Sequence, residues 1–209
     1  MKSLWVIARI WIPACVGMTL CQSAWAAAER EQYNVGEEVP SFTLKSVNAD
    51  TANGQLVSLD TYLKARGKDP KKAVLISFFA TYCEPCKHEM PYLAALYDEY
   101  KDRGFMVLSV SIDKEQDKVD FITALAKKSG VTYPVLWDHY NIVARRYIIN
   151  KLPCVYLLTT EGKVALVKIG YDDDMSKQLL EQVRNVIGEP QSAPIPERLA
   201  KFIGVQKTL

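Results

Sequence analysis

An α/β fold with parallel crossovers and an antiparallel hairpin at one end is what this 209-residue sequence predicts. Three observations carry that prediction. Two continuous apolar runs, KKAVLISFFA and GFMVLSVSI, have the pattern of strands buried on both faces. The segment after each run places its apolar residues at helical spacing. Further on, CVYLLTT and KVALVKIG flank Glu161-Gly162, which reads as a β-hairpin.

In chain order, a polar leader precedes two short extended segments, GEEVPSFTLKS and GQLVSLDTYL. KKAVLISFFA is the first buried strand. The helix after it starts at the cysteines, with Cys86, Met90, Leu93, Tyr97 and Tyr100 on one face and Lys87, Glu99 and Lys101 free to face water. Pro91 removes one backbone donor, so a kink is expected there. GFMVLSVSI is the next strand. Lys114 to Ser129 read as a second helix, with Val119, Ile122, Leu125 and Ala126 on one face and Gly130 as its stop. YPVLWD is a short extended piece and NIVARRYII a short helix, and the hairpin follows. Asp172, Asp173 and Asp174 are expected to cap a last helix carrying Met175, Leu179, Val183 and Ile187. Gly188 and Pro190 end it. In the remaining tail Leu199, Phe202 and Ile203 can dock a final helical turn.

The formal charge of +2 is accounted for by Lys2 and Arg9, so everything after residue 26 is neutral. A nucleic-acid or anionic-membrane partner would favour a basic excess, and no nucleic-acid partner is expected. The first 26 residues read as a secretory signal peptide: a positive start, the apolar stretch IWIPACVGMTL, and the A-x-A site Ala24-Trp25-Ala26. An uncleaved membrane anchor fits less well, because Pro13, Gln22 and Ser23 interrupt a segment shorter than the ~20 residues a span needs. Pro13 and Leu20 make Cys15 and Cys21 poor lipidation sites. Export to a periplasm with cleavage after Ala26 is therefore expected. Cys83, Cys86 and Cys154 then remain, too few for a disulfide-stapled scaffold.

Cys83 falls where a buried strand gives way to a helix. The first N–H groups of that helix lack intrahelical partners and carry partial positive charge, which favours a thiolate. Pro85 suits this first turn, where its missing N–H has no intrahelical role. Cys86 lies on the same helix face and can attack a mixed disulfide formed at Cys83. Glu84 sets a negative charge beside Cys83, which disfavours the reduced thiolate and points to a reducing couple; otherwise it is a solvated helix-start residue. Glu89, three residues past Cys86, is either a carboxyl in an apolar setting that takes the proton of Cys86 or a surface glutamate near Lys87.

In order, GEEVPSFTL, GQLVSLDTYL, FFATYCEPCKHEMPYL, YPVLWD and NKLPCVYLLTTEGKV resemble the thioredoxin-like exported proteins of the TlpA and ResA type, over roughly residues 35–188. The resemblance implies a thioredoxin-like fold: a central mixed β-sheet flanked by helices, with an N-terminal extension and a short C-terminal tail. The chain then divides into a signal peptide (1–26), a thioredoxin-like domain (27–188) and a Pro-containing tail (189–209). The resemblance makes Cys83 and Cys86 a redox-active disulfide, Glu89 a buried acid assisting proton transfer, and Pro153 a cis proline facing the pair. Tyr82, Glu84, Pro85, Leu152 and Pro153 become the substrate-binding set. The implied activity is thiol–disulfide exchange that reduces cysteine-containing exported proteins, with apocytochrome c among the family's clients and a membrane thiol reductant as electron donor. No cofactor and no metal are called for.

Two positions depart from the family's pattern. Tyr82 stands where tryptophan is usual. Cys154 stands where threonine is usual, either as a buried inert hydrophobe or as a third thiol near the pair. Two alternative functions follow from the same residues. Cys83, Cys86, Cys154 and His88 offer ligands for copper or zinc, but C-x-x-C at a strand-to-helix turn already has a redox explanation. A thiol peroxidase needs a threonine three residues before its reactive cysteine, and Thr81 is two before Cys83.

Overall fold

The computed structural model describes residues 32–48, 55–65, 67–115, 118–172 and 174–204. The signal-peptide reading of residues 1–26 lies outside them. Seven strands form one sheet: β1 (Thr43–Ser46), β2 (Leu56–Ser58), β3 (Ala73–Phe79), β4 (Phe105–Ser111), β5 (Val135–Trp137), β6 (Cys154–Thr159) and β7 (Val164–Ile169). Their spatial order is β2-β1-β5-β4-β3-β6-β7. β3, β4 and β5 are mutually parallel, joined by helical crossovers, while β6 and β7 close one side as an antiparallel hairpin. The mixed sheet and its crossovers are those expected from the apolar runs.

Among the described residues five α-helices accompany the sheet: α1 (Glu84–Tyr100), α2 (Lys118–Lys128), α3 (Ile142–Arg146), α4 (Met175–Ile187) and α5 (Glu197–Ala200). α1 runs through Pro91 without a break in its assignment. Side chains alternate across the sheet and create two cores. Ala73, Leu75 and Phe79 of β3, with Val155 and Leu157 of β6, join Met90, Leu93, Ile122, Leu179 and Val183 beneath α1, α2 and α4. Val74, Ile76 and Phe78, with Cys154, Tyr156 and Leu158, meet Phe42, Leu59, Val143 and Tyr147 on the other face.

The aspartate run before α4 behaves differently from expectation. Asp174 occupies the cap position in αR geometry without a side-chain cap bond. Asp172 pairs instead with Lys168 at 3.8 Å. Asp173 is outside the described residues. The helix that takes a carboxylate at its start is α3: Asp138, buried, accepts from the N–H groups of Ile142 and Ala144 at 2.9 and 2.8 Å. The tail is held by Arg184 of α4, a buried cation that donates to Tyr100 Oη and to the carbonyls of Ala193 and Pro194. Leu199 of α5 is fully buried in the core beneath α1. No helix among the described residues is long and apolar enough to cross a membrane.

Candidate functional site

Strand β3 ends at Phe79, and α1 begins at Glu84 after four intervening residues. Cys83 is the N-cap of α1, and its sulfur accepts the N–H of Cys86 at 3.3 Å. Cys83 and Cys86 form a disulfide with Cα atoms 5.3 Å apart. Both are buried, Cys86 more completely (1 % exposed) than Cys83 (8 %). Cys83 therefore has the greater access to an incoming partner. The N–H aimed at its sulfur, together with the helix N-terminus, favours negative charge there when the bond opens. Pro85 sits in the first turn, exposed, and Tyr82 stands beside the pair at 73 % exposure.

Glu84 is exposed, and its carboxylate is held below the usual range by Lys87, which donates to it at 2.8 Å. The expected repulsion of a thiolate at Cys83 is weakened accordingly, because Lys87 supplies a compensating charge on the same turn. Any preference for the disulfide form has to come from elsewhere in the site.

Glu89 follows on the same helix. One helical turn beyond Cys86, its carboxyl is fully buried, and burial pushes it up to about 8, outweighing the opposing effect of a hydrogen bond from Ser77. Ser77 Oγ donates to Oε2 at 2.9 Å, and Oε1 has no hydrogen-bond partner among the described residues. A buried carboxylate with no cation beside it is costly, so the proton stays on through neutral pH.

The turn before Cys83 is held by Asp113, which follows β4. Asp113 accepts from Thr81 N at 2.9 Å, from Thr81 Oγ1 at 2.7 Å and from Ser111 Oγ at 2.7 Å. Its carbonyl takes the indole N–H of Trp137 from β5. Sequence reading missed both Ser77 and Asp113. The available signals were a lone hydroxyl inside the run AVLISFF and a lone acid at the end of a buried strand. The Thr81 hydroxyl is engaged by Asp113, so it is not presented as the peroxidase arrangement requires.

The Leu152–Pro153 peptide is cis, and Leu152 packs on the core that holds Cys83 and Cys86. Cys154 follows directly but points to the opposite face, because neighbouring strand residues alternate. It is free and buried, and burial pushes its thiol up to about 12. It belongs to the other core from Cys83 and Cys86, although the Glu89 carboxyl acts on it electrostatically. His88 is exposed. Among the described residues no three His, Cys, Asp or Glu side chains gather where a metal ion would bind.

A family model described as the AhpC/TSA family matches residues 35–167. The chain is 30% identical over 172 residues to the thiol-disulfide oxidoreductase ResA of Bacillus subtilis, covering 82% of this chain and 85% of that one. Among solved structures it resembles a putative protein disulfide isomerase from Bacteroides thetaiotaomicron, with a TM-score of 0.62 and 26% identity over 75% of this chain and 91% of the other. A putative thiol:disulfide interchange protein DsbE from Chlorobium tepidum shares the fold, with a TM-score of 0.62 and 22% identity over 74% of this chain and 99% of that one.

Proposed function

The chain belongs to the AhpC/TSA family and, within it, to the ResA-type thiol–disulfide oxidoreductases; from that premise we propose that it reduces disulfides in exported, cysteine-containing proteins. The observation that carries the direction is the buried carboxyl of Glu89 one turn from Cys86, with no cation beside it. The same burial without a cation that holds Glu89 neutral disfavours a negative charge on its neighbour, so a thiolate at Cys86 is poorly stabilised. Couples whose reduced form is poorly stabilised are the reducing ones.

The exchange runs in two steps. The Cys83 thiolate attacks one sulfur of the client disulfide, forming a mixed disulfide and releasing one client thiolate. Cys86 then gives its proton to Glu89 in its ionised form, the minority at neutral pH with a folded value of about 8, and the resulting thiolate attacks Cys83 Sγ. The mixed disulfide breaks, the Cys83–Cys86 bond forms, and the second client thiolate leaves and takes up a proton. Two electrons have passed to the client. A membrane thiol reductant restores the dithiol by the reverse exchange, and Tyr82, Glu84, Pro85, Leu152 and cis Pro153 border the place where the client strand lies.

Periplasmic location, with the signal removed after Ala26, fits an oxidisable pair of this kind. Apocytochrome c is a client of suitable chemistry, because its haem-attachment cysteines must stay reduced. Trapping tests the reading. With Cys86→Ser, the exchange stops at the mixed disulfide, and exported proteins should be recovered covalently attached to Cys83. Recovery of no exported partner, or attachment through Cys154, would contradict it.

A further inference from the structure

We infer that Ser77 is a positioning residue of the redox site: it ties Oε2 of Glu89 to β3 and leaves Oε1 as the oxygen that exchanges a proton with Cys86. The inference rests on the proton-accepting role proposed for Glu89.

The argument starts from strand alternation. Ser77 lies on the β3 face that carries Ala73, Leu75 and Phe79, so its hydroxyl rises into an apolar layer beneath α1. A buried hydroxyl needs a partner, and the carboxyl arriving from α1 is 2.9 Å away. The equivalent serine on the neighbouring strand, Ser109, is paired in register with Ser77 but directs its own hydroxyl to Tyr133. Ser77 is thus the described side chain that bonds Glu89. The tether leaves Oε1, which has no partner, on the same helix as Cys86 and three residues from it.

The bond also acts on the proton. A hydroxyl donates to Oε2 whether Glu89 is ionised or protonated at Oε1, but it bonds the ionised form more strongly. No lysine or arginine opposes the burial of Glu89. The other titratable groups acting there are Tyr92 of α1, Tyr133 ahead of β5 and Cys154 of β6, all held neutral by burial. From α4, Arg184 acts on Tyr92, and its guanidinium is engaged by Tyr100 and the tail. Ser77 is therefore what keeps the carboxyl within reach of ionisation near neutral pH.

The test measures single-turnover reduction of a disulfide-bridged model peptide by the reduced full chain, across a pH series, for wild type, Ser77→Ala, Ser77→Thr, Ser77→Val and Glu89→Gln. Threonine and valine share a shape and differ in the hydroxyl, so this pair separates hydrogen bonding from packing even where alanine fails to fold. The wild-type profile should carry a limb with its midpoint near the Glu89 value of about 8, which Glu89→Gln removes. Ser77→Val and Ser77→Ala should move that midpoint up by about one pH unit and slow reduction at neutral pH about tenfold, with Ser77→Thr close to wild type. An unmoved midpoint in Ser77→Val, with the limb still abolished by Glu89→Gln, would overturn the inference alone. A limb that survives Glu89→Gln would overturn the role of Glu89 and this inference with it.

Discussion

Replacing Glu89 with glutamine should change how stability depends on pH, and by an amount the site sets. Glu89 is held at about 8 in the folded protein, against 4.5 for an ordinary glutamate. Between those values the folded state keeps a proton that the unfolded chain releases, so stability falls as pH rises. The stabilisation is complete below the unfolded value and is lost through the folded one. The slope is about 1.36 kcal/mol per pH unit. Protonation at neutral pH therefore costs the fold roughly 3 kcal/mol relative to acid, growing to roughly 5 kcal/mol above the folded value. Glutamine has similar shape and never ionises, so its own packing penalty is the same at every pH. Urea unfolding of the oxidised wild type and Glu89→Gln at about pH 4, 7 and 9 isolates the effect, because all other titrations are shared. The difference between the two should move in favour of the variant by roughly 3 kcal/mol from acid to neutral pH. A difference constant to within about 0.5 kcal/mol would refute a buried, proton-retaining Glu89.

Three other substitutions probe neighbouring parts of the account. Arg184→Met removes the donor that holds Tyr100 and the Ala193 and Pro194 carbonyls; it should cost about 2–3 kcal/mol in urea unfolding and speed proteolysis in the tail. Asp113→Ala leaves the Thr81 and Ser111 donors without their acceptor; it should cost about 3 kcal/mol and alter the alkylation rate of reduced Cys83, whereas an unchanged rate would show that the preceding turn does not position that sulfur. Cys154→Ala should lose about 1–2 kcal/mol of stability and leave peptide reduction unchanged, since Cys154 lies on the opposite sheet face. A loss of turnover there would make it a working thiol.

Parts of the fold were legible in the sequence for local reasons. β3 and β4 announce themselves as apolar runs, the hairpin by Glu161-Gly162, and α1 and α4 by helical spacing. Sheet order was not legible: β1 sits between β2 and β5, a pairing set by contacts far apart in the chain. The aspartate run misled because a capping residue type does not establish cap geometry, and Asp138 does for α3 what Asp174 does not do for α4. In the site, the two cysteines and their helix start could be read from spacing. The burial of Glu89 came only through the family resemblance, because i,i+3 spacing names a helix face without saying what covers it. Ser77 and Asp113 act across elements, 12 and 32 residues from Glu89 and Thr81, beyond the reach of any local pattern.

The central claim is that the Cys83–Cys86 couple is a reductant because its buried surroundings stabilise a thiolate at Cys86 poorly. Its reduction potential tests this most directly, measured by equilibration in graded thiol buffers, alkylation and mass-spectrometric mapping that reads Cys83, Cys86 and Cys154 separately. The account predicts a value near the ~−270 mV of thioredoxin, with Cys154 unchanged throughout. A value near the ~−120 mV of a strong disulfide-forming oxidant would contradict it.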